Sequence, residues 1–251
     1  MTDAALTTAD FPLWTTVGAW VLLGIAVACA VVVTVDVVVR PQKMAVMAAV
    51  WPLVMLFGSI LWLWFYGRFA RAPRRDRDQR NAPASHESGH RHGFATAVAI
   101  DTNHCGAGCA LGDLVAEALL MVLPGTAALV GLGSLYDTHP IAGWILGTVL
   151  AFVFGIAFQY FAIAPMRHPG VRRGLLLAVK ADAASIAAWQ VGMIGTMAII
   201  QLVWFPSWLG GFASPATPQF WVLMQIAMVV GYAVSYPVNW WLVRSGVKSP
   251  M

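Results

Sequence analysis

Charge is scarce in this chain: 10% of its 251 residues are Asp, Glu, Lys or Arg, while 59% are hydrophobic and gathered in long runs. Cysteine is scarcer still, three residues in all, too few for a disulfide framework. There is no G-x-x-x-x-G-K-[ST] phosphate loop and no stretch that reads as a nucleotide domain, so transport by this chain alone would not be driven by ATP. An H-E-x-x-H zinc-hydrolase helix is missing too, and His139 and His168 sit at opposite membrane ends, where they do not form facing axial ligands for haem. The apolar runs leave no room for a soluble catalytic domain; the chain reads as a non-enzyme without nucleotide or haem. The net charge of +4 lies in one linker and at helix ends and forms no groove-like basic patch, which speaks against nucleic acid as a partner.

What the chain has is hydrocarbon. A helix needs roughly 20 mainly apolar residues to cross a bilayer, and six stretches meet that length, at about 14–39, 45–66, 110–133, 141–164, 175–204 and 219–243. Closed barrels show alternating segments of about ten residues, not unbroken runs. The fold class expected is therefore all-α, a polytopic helical membrane bundle of about six transmembrane helices whose first partner is the lipid bilayer. The first run is too long for a signal peptide's apolar region and no Lys or Arg precedes it, so it is kept as a span. Three segments follow: an N-terminal transmembrane pair (1–67), an Arg- and His-rich cytoplasmic linker (68–93) and a four-helix membrane domain (94–251).

Orientation follows from Lys and Arg in the loops. Seven Arg lie from Arg68 to Arg91, and Arg167, Arg172, Arg173, Arg244 and Lys248 share their side if six spans cross, with Arg40 and Lys43 opposite. Both termini are thus expected in the cytoplasm, with the protein in a bacterial inner membrane. Trp14, Trp20, Trp62, Trp64, Trp204, Trp208, Trp240 and Trp241 fit interfacial belts. The linker is too polar to bury a core and reads as flexible; its His86, His90 and His92 either feed a metal ion or belong to a solvated segment near anionic headgroups. Phe94–Ile100 is apolar but short, and reads as an interfacial turn.

Most of the ligand chemistry lies in one place. His104-Cys-Gly-Ala-Gly-Cys109 is followed by Asp113 and Glu117, so that two thiols, an imidazole and two carboxylates fall within fourteen residues at what reads as the entrance of the third span. On a helix Cys105 and Cys109 share a face, and Asp113 and Glu117 continue the four-residue spacing, drifting because four residues overshoot a 3.6-residue turn. Thiolate and imidazole suit Cu(I) or Zn. His104, Cys105 and Cys109 are candidate ligands for such an ion, with Asp113 and Glu117 steering cations. The plain alternative is that Gly106 and Gly108 allow close helix packing, Asp113 answers a helix dipole and the thiols are inert. Cys29, deep in the first span, reads as apolar filling. Met193 and Met197, Met224 and Met228, with Met44 and Met47, give a thioether ladder for copper or ordinary adaptable packing.

His104–Cys109, the run Phe158-Gln-Tyr-Phe-Ala-Ile-Ala-Pro-Met166, Lys180-Ala-Asp182 with Ser185, and Tyr236-Pro-Val-Asn-Trp-Trp-Leu242 together resemble an uncharacterised bacterial membrane-protein family, the domain of unknown function numbered 4396. The resemblance covers roughly residues 95–251. The stretch with Arg40-Pro-Gln-Lys-Met44 and Val50-Trp-Pro52 is similar to a helical pair that often precedes that domain. The family implies a membrane protein and brings no activity or catalytic residue.

Other polar residues widen the choice. Glu117 and Asp182 are expected at one depth, about 10 Å from the cytoplasmic ends of their spans, with Lys180 snorkelling to the interface or pairing with Glu117. Asn239 and Arg244 approach the same face to form a polar vestibule, and Asp36 with Arg40 reads as an i, i+4 pair at the opposite interface. The leading reading is binding or transport of Cu(I) or Zn through His104, Cys105 and Cys109; the alternatives are a non-catalytic scaffold or assembly subunit with a membrane-protein partner or a second copy, and proton-coupled transport of a small solute through Glu117, Asp182 and Lys180.

Overall fold

The computed structural model describes residues 4–42, 44–72, 93–167 and 170–248, with the side chains of 163–167 outside the description. It is all-α apart from two three-residue strands. Strand β1 (Ala4–Leu6) precedes α1 (Leu13–Val39) and α2 (Met47–Phe65), which ends in a π turn at Tyr66–Ala70; then come α3 (Phe94–Val122) and the short α4 (Thr126–Leu129). Next are α5 (His139–Arg167), α6 (Val171–Ala198, extended by a π segment Ile199–Trp204), α7 (Phe205–Leu209), β2 (Gly211–Ala213) and α8 (Pro218–Arg244). Among the described residues, six helices are long and apolar enough to cross a membrane, α6 and α7 counting as one run. The chain is an integral membrane protein built as a polytopic helical bundle. His86, His90, His92 and His168 lie outside the described residues.

The third helix differs from its expected bounds. It runs from Phe94 to Val122 instead of about 110–133, and Phe94–Ile100 forms its first turns in place of an interfacial turn. The motif is consequently at mid-helix, not at an entrance. Polar Asp101, Thr102, Asn103 and His104 interrupt the apolar run in sequence, yet all four are buried by neighbouring helices. The end is set by Pro124: the residue before a proline is driven from helical geometry, and Leu123 is extended at φ −127° and ψ 73°.

Helix α2 departs from a straight rod. Ser59 has φ 47° and ψ −130°, a region that favours glycine and reverses the chain. Trp51 meets the rings of Phe65 and Tyr66 at 6.3 and 5.3 Å, whereas fourteen or fifteen residues of straight helix would separate them by about 21 Å. Gly58 is required at the fold, since a Cβ there would strike the Trp62 indole. The far end of α2 returns to the end of α1, where Asp36 holds Arg71 at 2.6 Å, Arg40 at 3.3 Å and the Tyr66 hydroxyl at 2.9 Å.

The strands close the other end. They pair in parallel, Ala4 with Gly211 and Leu6 with Ala213, and the Gln201 side chain both accepts from Ala213 N and donates to its carbonyl. Near the strands, Gln219 at the start of α8 donates to Thr16 at the start of α1 at 2.7 Å. Trp14, Trp20, Trp64, Trp204, Trp208 and Trp241 face outward as an interfacial belt requires, but Trp62 is buried and donates its indole N–H to Asn103 of α3. Met193, Met197, Met224 and Met228 are all buried in the apolar core, as is Cys29.

Candidate functional site

Helix α3 carries nearly all of its polar side chains inside the protein. Asp101, Cys105, Cys109, Asp113 and Glu117 follow one another at four-residue intervals, each at most 6% exposed. Sixteen residues of helix make this stripe about 24 Å long, most of the roughly 30 Å hydrocarbon thickness. The stripe winds slowly, because each step of four overshoots the turn by about 40°. It begins facing α6 and α8 and finishes facing α5.

At the first end, Lys248, which follows α8, reaches back into the bundle. Gly246, at φ 74°, turns the chain, and Lys248 N donates to the Leu242 carbonyl at 3.1 Å. The ammonium, fully buried, donates to Asp182 of α6 at 2.9 Å and to the side-chain amide oxygen of Asn239 at 3.1 Å. Burial pulls this ammonium down, but Asp182, with Asp101 behind it, reverses the effect and holds it above the usual lysine range. The chain of contacts continues inward. Asn239 donates to the Ser185 hydroxyl, which touches the Ser235 hydroxyl at 3.0 Å and donates to the Cys105 sulfur at 3.1 Å. Cys109 follows one turn further along α3, buried like Cys105. All of these groups are removed from water, where an unpaired polar atom costs roughly 1–3 kcal/mol.

At the second end the stripe meets glycine. A Cβ on Gly147 or Gly143 of α5 would run into the Asp113 or Glu117 carboxylate, and one on Gly108 or Gly112 of α3 into the backbone of Gly155 or Ala151. Small residues thus let α3 and α5 approach closely, as they do between membrane helices generally, and leave space for the two carboxylates. Glu117 then lines a cavity of about 330 Å³ together with His139, Ser214 and Phe212. Gly106 serves packing as well, against the Trp189 indole of α6.

The five candidate metal ligands are therefore arranged along a helix and not around a point. Among the described residues, no group of three or more His, Cys, Asp or Glu side chains is placed to hold a metal ion. His104 turns toward the Phe158 ring of α5, 6.2 Å between centroids. The three cysteines are free and buried.

The expected meeting of Glu117 and Asp182 does not occur. Both helices start at the same end of the bundle, and Asp182 lies eleven residues into α6 while Glu117 lies twenty-three into α3, about 16 and 34 Å from that end. Lys180 is exposed. The cation inside is Lys248, which in sequence reads as one more positive charge at a helix end. Its signal was the Ser245-Gly246 stop after α8, since glycine just past a helix turns the chain back along it. Ser235 carried no signal of its own.

No curated protein and no solved structure matches this chain. A family model does match over residues 96–248, a range that contains the whole stripe, Asp182, Asn239 and Lys248, and by it the chain belongs to the domain of unknown function family DUF4396.

Proposed function

We propose that this is a proton-coupled membrane transporter in which α3 carries the protons, and that it acts without catalysing a covalent reaction. The observation that carries this reading is the buried run from Lys248 and Asp182, through Asn239, Ser185 and the two thiols, to Asp113 and Glu117 at a cavity. Ionisable groups inside a membrane domain are costly and mark ion or proton paths. Hydroxyl and thiol groups, which both donate and accept, lie between the two charged ends of this one.

Reconstituted in liposomes under an imposed membrane potential, the protein should raise proton uptake above that of empty vesicles, as read by an entrapped pH dye. Glu117→Gln should cut that uptake at least tenfold. Uptake equal in the variant and the parent would sink the reading.

A second reading rests on one observation, the adjacency of two reduced, buried thiols at Cys105 and Cys109. Thiol ligands select Cu(I). For that reading the purified protein must bind Cu(I) stoichiometrically and lose it in the Cys105→Ser, Cys109→Ser double variant, whereas the proton path should keep its Glu117 dependence in that variant.

A further inference from the structure

We infer that Met47–Ala70 is a re-entrant helical hairpin, that the chain crosses the membrane five times, and that β1 lies outside the cell while Lys248 lies at the cytoplasmic face. Three observations on different parts of the molecule require it. The first is parity. Between β1 and β2 lie α1, α2, α3, α5 and the α6–α7 run; if all five crossed, the strands would stand on opposite faces, separated by roughly 30 Å of hydrocarbon. They are hydrogen-bonded in register, so one of the five does not cross. The Gln219–Thr16 bond between the starts of α8 and α1 demands the same parity.

The second observation names the segment. Alone among these helices, α2 reverses, at Ser59, and brings Tyr66 and Arg71 to Asp36 at the end of α1, where α2 is about to begin. Backbone that leaves helical geometry at membrane depth must be enclosed in protein. Gly58 is buried, and the Leu56 carbonyl beside the break accepts from Gln225 of α8 at 2.6 Å. An apolar groove of about 650 Å³ beside the first half of α1, lined by Trp14, Leu22, Trp204 and Val222 among others, has no wall from Met47–Ala70.

The third is charge. With α2 re-entrant, Arg40, Lys43, the seven Arg from Arg68 to Arg91, Arg167, Arg172, Arg173, Arg244 and Lys248 all belong to one face, and Lys180 to the half of α6 nearest it. Segments 4–12, 123–138 and 205–217 contain no Lys or Arg. Six crossings leave Arg40 and Lys43 on the wrong side; five leave no exception to the positive-inside rule.

The hairpin also touches the stripe. Its Phe57 packs on Trp189, the indole that covers Gly106, and its Trp62 bonds Asn103. The topology stands whether or not the stripe carries protons; if it does, Lys248 and Asp182 are the cytoplasmic mouth and the Glu117 cavity the external one.

The test is labelling with a membrane-impermeant maleimide in spheroplasts, with the parent chain and its buried thiols in parallel. Cysteines placed at Thr8 and Ser134 should label in intact spheroplasts. Those placed at Pro41 and Gln79, on either side of the hairpin, should label only after lysis, and Ala45→Cys replaces the first if Pro41→Cys does not accumulate. Labelling of 41 and 79 from opposite sides, or of 8 and 79 from the same side, overturns the inference.

Discussion

Among the described residues, two ion-pair clusters lie in unlike surroundings. At the end of α1, Asp36 is held by Arg40, Arg71 and Tyr66 where water reaches, the Arg71 side chain being 46% exposed. In the family domain, Asp182 and Lys248 are paired with both side chains wholly buried. The first cluster fastens two ends of backbone at an interface. The second places charge where its removal from water must be offset by geometry, and such placement in membrane proteins accompanies function more than stability. Charge in the N-terminal pair stays at its edge; in the 96–248 domain Asp101, Asp113, Glu117, Asp182 and Lys248 are buried inside it.

The sharpest way to break this contrast is to remove one buried partner. Lys248→Met leaves Asp182 alone in the interior and should cost about 3–5 kcal/mol, read as a loss of thermal stability in detergent. Asp182→Asn combined with Lys248→Met should recover most of it, because a buried pair replaced as a unit is often neutral. The sign with pH is fixed by the ammonium being held above its ordinary 10.5: its contribution is complete below about pH 10.5 and is lost only as pH rises through the higher folded-state value. The stability of the parent relative to the Asp182→Asn, Lys248→Met double variant should therefore differ by the same amount at pH 6 and pH 9, and a change between them would show the pair to be wet.

A smaller effect is expected in the other region. Ser59 holds a backbone geometry that costs a non-glycine residue about 1–3 kcal/mol, so Ser59→Gly should raise the unfolding midpoint by the equivalent of about 1 kcal/mol. A fall would mean that the hydroxyl, and not the reversal, is what the position needs. Smallest of all, Asp36→Asn removes a partly hydrated cluster and should cost about 1 kcal/mol or less, measured by the same melt. A loss as large as that of Lys248→Met would erase the distinction between the two clusters.

Much of this was legible in sequence. The length of the apolar runs gave six apolar helical segments, because backbone groups in lipid must be paired within the segment, but it did not tell a crossing from the reversal in α2. The four-residue spacing of Cys105, Cys109, Asp113 and Glu117 gave their common stripe, extended by Asp101 once α3 was seen to start at Phe94. Hydropathy misplaced that start because it scores Asp101 to His104 as if they met lipid, when α5, α6 and α8 enclose them. Glu117 and Asp182 were matched by counting from wrong helix ends. Trp62 looked like its neighbour Trp64, but residues two apart on a helix face opposite sides, and packing turns Trp62 inward and leaves Trp64 outward.

The sequence by itself determined the class of the protein, its helices and the polar stripe of α3, since each follows from local chain geometry and the cost of unpaired groups in hydrocarbon. The tertiary structure alone decided that α2 doubles back, that Lys248 is the inner cation and that the stripe runs between an ion pair and a cavity. These depend on contacts between residues distant in the chain, such as Asp36 with Arg71, Lys248 with Asp182 and Ala4 with Gly211. Nothing in the local pattern of an apolar segment records which way its far end turns.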